Sequence, residues 1–246
     1  LMEGIARSEK LLIAAAAFLI PRAIQRACWF PSRKGPHDPA TILFSSGTTG
    51  DPKGIVLSHH NILSNVEGFT QLFDVDRQDT MLGVLPLSHA FGLTGTLWCP
   101  LIHGFGAVYH PNPLDAKRIG KLAAQYGATA LIATPSFYRL YIRKCSREQF
   151  ESLRYTIVGA EKLDTKTRES FEEKYGVELL EGYGCTEMAP VVSVNIPDVI
   201  EDDLRQVGNK PGSVGLPIPG VAVKIVHPET FDRLPDGEQG LILARG

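Results

Sequence analysis

The ten residues SSGTTGDPKG, from Ser45 to Gly54, combine four hydroxyl side chains, three glycines and one lysine. Gly47 and Gly50 let the main chain approach a bulky anion and aim successive N–H groups at it. Ser45, Ser46, Thr48 and Thr49 add short hydroxyl donors, and Lys53 adds a cation behind the fixed φ of Pro52. A polyphosphate satisfies all of these groups together. A Walker A loop would end in Gly-Lys-Ser/Thr, whereas Lys53 stands between Pro52 and Gly54, so the segment is a different kind of phosphate cradle.

The elements that must position this loop read as an alternation of strands and helices. TILF, ending at Phe44, reads as a buried strand leading directly into the loop, and Ser58 as the N-cap of HHNILSNVEGFTQLF. TMLGVLP predicts a strand, followed by a glycine-containing apolar helix through Trp98 and the short strand AVYH. Ile119, Leu122, Ala123 and Tyr126 recur at helical spacing up to a stop at Gly127. TALIA and TIVGA predict strands, with a helix after Pro135 between them. Asp164 caps a charged helix that turns Phe171 and Tyr175 inward and closes at Gly176, and VELLEGYG completes the series. This order predicts right-handed βαβ units, hence an α/β fold with a mostly parallel sheet and helices on both faces. Ligands of such sheets bind beyond the carboxyl ends of the strands.

Four stretches, in order, resemble the adenylate-forming superfamily of acyl-CoA synthetases, luciferases and peptide-synthetase adenylation domains: SSGTTGDPKG, LPLSHAFG from Leu85, VGAEKL from Val158 and EGYGCTEMAP from Glu181. LRYTIVGAEKL, EGYGCTEMAPVVSVNIP and PGSVGLPIPG resemble more closely the long-chain acyl–acyl carrier protein synthetases, a group often fused to or named as 2-acylglycerophosphoethanolamine acyltransferases. The resemblance implies ATP and Mg²⁺ as reactants, AMP as product, and a fatty acid that is passed to a thiol of coenzyme A or of a phosphopantetheine carrier. It implies that Gly47, Thr48, Thr49, Gly50 and Lys53 hold the departing pyrophosphate. Glu187 is then the magnesium ligand, a hard cation preferring carboxylate oxygen, and Thr186 donates to the α-phosphate. Tyr183 and Gly184 would meet the adenine, with Tyr183 stacking on it. Gly159, Ala160 and Glu161 would line the base and the acid carbonyl. His89 would stand at the acyl tunnel as a gate or carboxylate contact, with Phe91 to Leu101 lining the tunnel. His59 and His60 receive no chemical role.

Composition narrows the remaining possibilities. A net charge of −2 gives no sign of a nucleic-acid-binding surface, and 43% hydrophobic residues support a substantial core. Cys28, Cys99, Cys145 and Cys185 lie far apart and form no CxxC or zinc-like spacing, and reduced, buried cytosolic thiols are expected. No signal-peptide pattern is present. The apolar run from Leu11 to Ile20 is about half the length of a membrane span; it predicts a packed helix or, given Arg7, Lys10, Arg22 and Arg26, an interfacial helix on an anionic membrane. The expected organisation is a helical lead-in over 1–40, an α/β nucleotide- and acyl-binding unit over 41–211, and the start of a β-rich unit over 212–246. Both ends look cut, and the later elements of the superfamily, an aspartate for the ribose and a mobile lysine-bearing domain, are absent. The chain alone is therefore expected not to turn over. The parent is expected to be a cytoplasmic ligase, peripheral on the inner membrane if the Leu11 helix is interfacial, that forms acyl-AMP and then an acyl thioester on acyl carrier protein, serving lysophospholipid reacylation if an acyltransferase domain precedes it. A long-chain fatty acid–CoA ligase and a non-catalytic nucleotide-binding module are the competing readings.

Overall fold

The structure, a computed structural model, describes residues 20–21, 24, 34–46, 52–201 and 204–246. The apolar run from Leu11 to Leu19, Cys28, and the loop residues Gly47, Thr48, Thr49 and Gly50 lie outside these residues. Pro39–Gly246 forms one compact unit, and the elements below belong to it.

Strand β1 (Pro39–Ser46) pairs antiparallel with β2 (Pro52–Ser58), placing Ser45 opposite Lys53 and Ile42 opposite Val56. This corrects the expectation that TILF is a buried strand of the main sheet. The two strands form a separate two-stranded ribbon with one face on the core. Leu43 and Leu57 are buried, while Ile42 and Phe44 are 55% and 72% exposed. Three consecutive apolar residues hide the two-residue alternation that marks a one-sided strand.

Helix α1 (His59–Thr70) starts as the sequence predicts. The Ser58 hydroxyl accepts from the Asn61 N–H at 3.1 Å, and the Asn61 side-chain oxygen accepts from the Ser58 N–H at 3.0 Å. This reciprocal pair satisfies two otherwise orphaned donors.

The main sheet has seven strands. Five are parallel, in the order β4 (Gly106–Tyr109), β3 (Thr80–Gly83), β5 (Ala130–Ala133), β6 (Tyr155–Val158), β7 (Leu179–Gly184). Beyond β7, β8 (Val191–Val194) and β11 (Leu216–Pro217) add antiparallel edges. The β3-to-β4 crossover is a composite helix of three pieces, Ala90–Gly92, the wider π-type turn Leu93–Trp98, and Cys99–His103. Helices α2 (Ala116–Tyr126), α3 (Pro135–Lys144) and α4 (Thr165–Tyr175) make the next three crossovers. Because β4 and β5 flank β3 on opposite sides, the winding reverses there, and a crevice opens at the strands' carboxyl ends.

Each face of the sheet carries its own core. On one, α2, α3 and α4 cover Leu82, Leu131, Val158 and Leu179, with Tyr138, Phe171 and Tyr175 packed edge or tilted at centroid distances of 5.0 and 4.7 Å. On the other, α1, the composite helix and the ribbon cover Met81, Ile132, Tyr155, Leu180 and Val194. The predicted helix ends hold: Asp164 accepts from the Thr167 N–H at 2.9 Å, and Gly127 and Gly176 take the left-handed conformation, φ +58° and +75°.

Past the sheet, short strands β9 (Val199–Glu201) and β10 (Leu204–Gln206) pair with each other. After residue 212, β12 (Ala222–Val226) pairs antiparallel with β13 (Leu241–Arg245), while Leu216–Pro217 belongs to the main sheet. Among the described residues no helix is long and apolar enough to cross a membrane. Cys99 and Cys145 are free and buried, and Cys185 is free and half-buried.

Candidate active site

A cavity of about 450 Å³ opens where β3, β5, β6 and β7 end. Its walls are mainly apolar, and three separate sequence motifs supply its remaining edge.

The loop after β3 brings His89, an exposed residue at the N-cap position of Ala90–Gly92, to the cavity wall. The end of β6 contributes Gly159 and Ala160. A Cβ at Gly159 would lie 3.3 Å from the Phe91 ring and from the Gly182 carbonyl oxygen, tight contacts at the floor of the cavity. Ala160 sits at φ +68°, a left-handed conformation that costs a non-glycine residue about 1–2 kcal/mol. Such strain is held where a fixed backbone shape is needed. Glu161, from the same motif, is at the exposed rim rather than in the wall, its carboxylate accepting from the Ser136 hydroxyl at 2.6 Å.

The end of β7 contributes Tyr183, Gly184, Cys185 and Thr186. Tyr183 is 37% exposed and lines the cavity. Burial, then the nearby Glu187 carboxylate, pushes the Cys185 thiol up from its ordinary range, so it stays protonated near neutrality. The turn that follows, Thr186–Met188, is held from two sides. Asn65 of α1 donates to the Met188 and Val191 carbonyls at 3.0 and 2.8 Å and accepts from the Val191 N–H at 3.1 Å. Thr94 of the composite helix donates to the Ala189 carbonyl at 3.0 Å. Sequence reasoning missed both residues. The available signals were an asparagine inside a helix, where its propensity is poor, and a threonine on an apolar helix.

Glu187 is exposed on this turn, just outside the cavity wall. Strand β2, which carries exposed Lys53, approaches the same turn to within 8 Å between Cα atoms. Strand β2 and the Thr186–Met188 turn are therefore neighbours, and Ser45 faces Lys53 across the ribbon. Of Ser46 the backbone alone is described. Among the described residues no group of three or more His, Cys, Asp or Glu forms a metal cage. An exposed carboxylate such as Glu187 is the kind of single protein ligand that suits Mg²⁺, which takes one or two carboxylates and fills the rest of its shell with water and substrate oxygens.

The other end of the β7–β8 pair is fixed by Asn195, 1% exposed. It donates to the Glu181 and Ser213 carbonyls at 3.2 and 2.6 Å and accepts from the Lys210 N–H at 3.0 Å. Replacing Asn195 by alanine strands these buried groups and should cost about 1–3 kcal/mol. Chemical denaturation measures the loss, and faster amide exchange at Lys210 than in wild type locates it.

Residues 9–246 match the AMP-binding enzyme family, and the chain belongs to it. It is 30% identical over 85% of its length to a long-chain-fatty-acid–CoA ligase of Bacillus subtilis (strain 168), covering 37% of that protein. It is 33% identical over 85% of its length to a probable 4-coumarate–CoA ligase of Dictyostelium discoideum, again covering 37% of the relative. Among solved structures, ATP-bound MatB from Rhodopseudomonas palustris superposes with a TM-score of 0.75 at 31% identity, over 87% of this chain and 41% of that one. The chain thus spans little more than a third of the curated relatives it matches.

Proposed function

We propose that the parent protein activates a fatty acid with ATP, forming acyl-AMP and pyrophosphate, and then transfers the acyl group to a thiol. The observation that carries this reading is the cavity itself. His89, Gly159, Ala160, Tyr183, Gly184 and Thr186, drawn from three distant stretches, line one mainly apolar pocket. In this reading the apolar part takes the acyl chain and the strand ends take the adenylate.

The roles follow from chemistry and place. Tyr183 offers its ring to adenine. The Thr186 hydroxyl donates to the α-phosphate, and Gly159 and Ala160 give the base and carboxyl a surface without bulk. His89 stands at the junction of the polar and apolar parts as a gate or carboxylate contact. Lys53, Ser45 and Ser46 flank the ribbon tip, where Gly47, Thr48, Thr49 and Gly50 would donate to the β- and γ-phosphates. Glu187 would hold Mg²⁺, which supplies neutralising charge for the departing pyrophosphate. Glu161, tied to Ser136 at the rim, would contact the base from outside.

Two thiols compete. The names of the relatives support coenzyme A, while the finer resemblance of LRYTIVGAEKL, EGYGCTEMAPVVSVNIP and PGSVGLPIPG supports acyl carrier protein and, through it, lysophospholipid reacylation. Incubating the full-length protein with ATP, Mg²⁺ and a fatty acid, and offering CoA and holo-acyl carrier protein in parallel, separates them by mass spectrometry of the thioester. A thioester on either confirms a ligase. ATP binding without acyl-AMP or thioester would instead favour a non-catalytic nucleotide-binding module.

A further inference from the structure

A second cavity, of about 580 Å³, lies toward the amino ends of β6 and β7, and Phe73, Tyr155, Leu180 and Ile196 in its lining belong to the core face that the first cavity uses. The two share one floor. Along a strand, alternate residues point to one face. On β6 and just beyond it, Tyr155 borders the second cavity and Ile157 and Gly159 border the first. On β7, Leu180 borders the second and Gly182 and Gly184 the first. The antiparallel β8 repeats the pattern in reverse, with Val194 at the first cavity and Ile196, past its end, at the second.

Phe73 borders both cavities. It follows α1, is 9% exposed, and meets the Tyr155 ring edge-on at 5.5 Å and 75°. The chain on either side of it is held. The Phe73 N–H donates to the Thr70 carbonyl at 3.2 Å, and the Asp74 carbonyl accepts from the Tyr155 hydroxyl at 2.8 Å and from Arg154 Nη2 at 3.2 Å. A rigidly mounted aromatic ring thus stands between two spaces laid along one apolar floor.

We propose that Phe73 sets the length of acyl chain this protein accepts, by closing the distal end of the acyl cavity against the second one. This deepens the functional reading above and rests on it. A chain that reaches the Phe73 ring is accommodated, and a longer one must displace the ring from its Tyr155 contact.

The test is the chain-length profile of full-length wild type, Phe73→Ala and Phe73→Leu, read as kcat/KM for saturated fatty acids of increasing length. Phe73→Ala should raise kcat/KM about tenfold or more for acids too long for wild type, the scale on which an apolar pocket discriminates by added methylenes. Short acids and the KM for ATP should be unchanged. Phe73→Leu keeps an apolar plug of smaller size and should shift the profile in the same direction by less, so the test survives if the alanine variant folds poorly. Ile196→Trp, which fills the second cavity from a half-buried position, should return the Phe73→Ala profile toward wild type and leave the wild-type profile alone. Folded Phe73 variants with an unaltered length profile would overturn the proposal. A wild-type protein that activates no fatty acid of any length would overturn the reading of the first cavity, and this proposal with it.

Discussion

Glu187→Ala in the full-length protein should slow acyl-AMP formation by about 10²–10³-fold, the usual loss when one preorganised electrostatic group is removed from a charge-developing transition state. The side chain is exposed on a turn whose shape comes from Asn65 and Thr94, so its removal leaves the turn intact. Stability should therefore change by no more than about 0.5 kcal/mol, as for surface substitutions generally. Single-turnover kinetics read the rate, and a parallel melting curve confirms the fold. The variant should also need more Mg²⁺ to reach half of its own maximal rate. Glu161→Ala, which removes a rim carboxylate bonded to Ser136, should cost far less. Equal losses in the two variants would remove the metal assignment from Glu187.

Gly184→Ala should damage both stability and activity. A Cβ at this position would lie 2.1 Å from the Pro190 carbonyl oxygen and 2.9 Å from its carbon, contacts that only a backbone shift can relieve. Overpacking of this kind costs about 3 kcal/mol, which in a domain of this size lowers Tm by about 6–12 °C. The shift would move Tyr183 and Thr186, which flank the glycine, and a displacement of about 1 Å at reacting groups costs about 10²-fold in rate. Gly127→Ala is the natural control. It also adds a methyl group, at φ +58°, but far from the cavity and into open space, so it should cost stability while sparing activity. A folded, fully active Gly184→Ala protein would show that the turn is free to move away from Pro190.

The alternation of strands and helices was legible because its signals are local: Asp164 and Gly176 bound a helix whatever surrounds it, and the four-residue run Ala130–Ala133, buried throughout, reads as a strand covered on both faces. The ribbon was not legible, because Ile42, Leu43 and Phe44 are all apolar although only Leu43 is buried. Their exposed neighbours therefore carry no polar mark of the outward face. The strand-end residues His89, Gly159, Tyr183, Gly184 and Thr186 were found from motif and context, since strand ends are where such a fold binds ligands. Asn65 and Thr94 act through carbonyls more than ninety positions away, and no local pattern announces a contact of that separation. The same holds for Ala160 and Ala189, whose left-handed backbones glycine would have advertised. Phe73 belongs to this class too, since a ring between two cavities is a property of packing alone.

The most direct test is exchange of labelled pyrophosphate into ATP by the full-length protein, with and without fatty acid. The account predicts exchange that depends on the acid and needs no thiol, because Lys53, Thr186 and Glu187 would serve cleavage between the α- and β-phosphates. Acid-independent release of ADP, or exchange unaffected when Glu187 and Lys53 are both replaced by alanine, would contradict it.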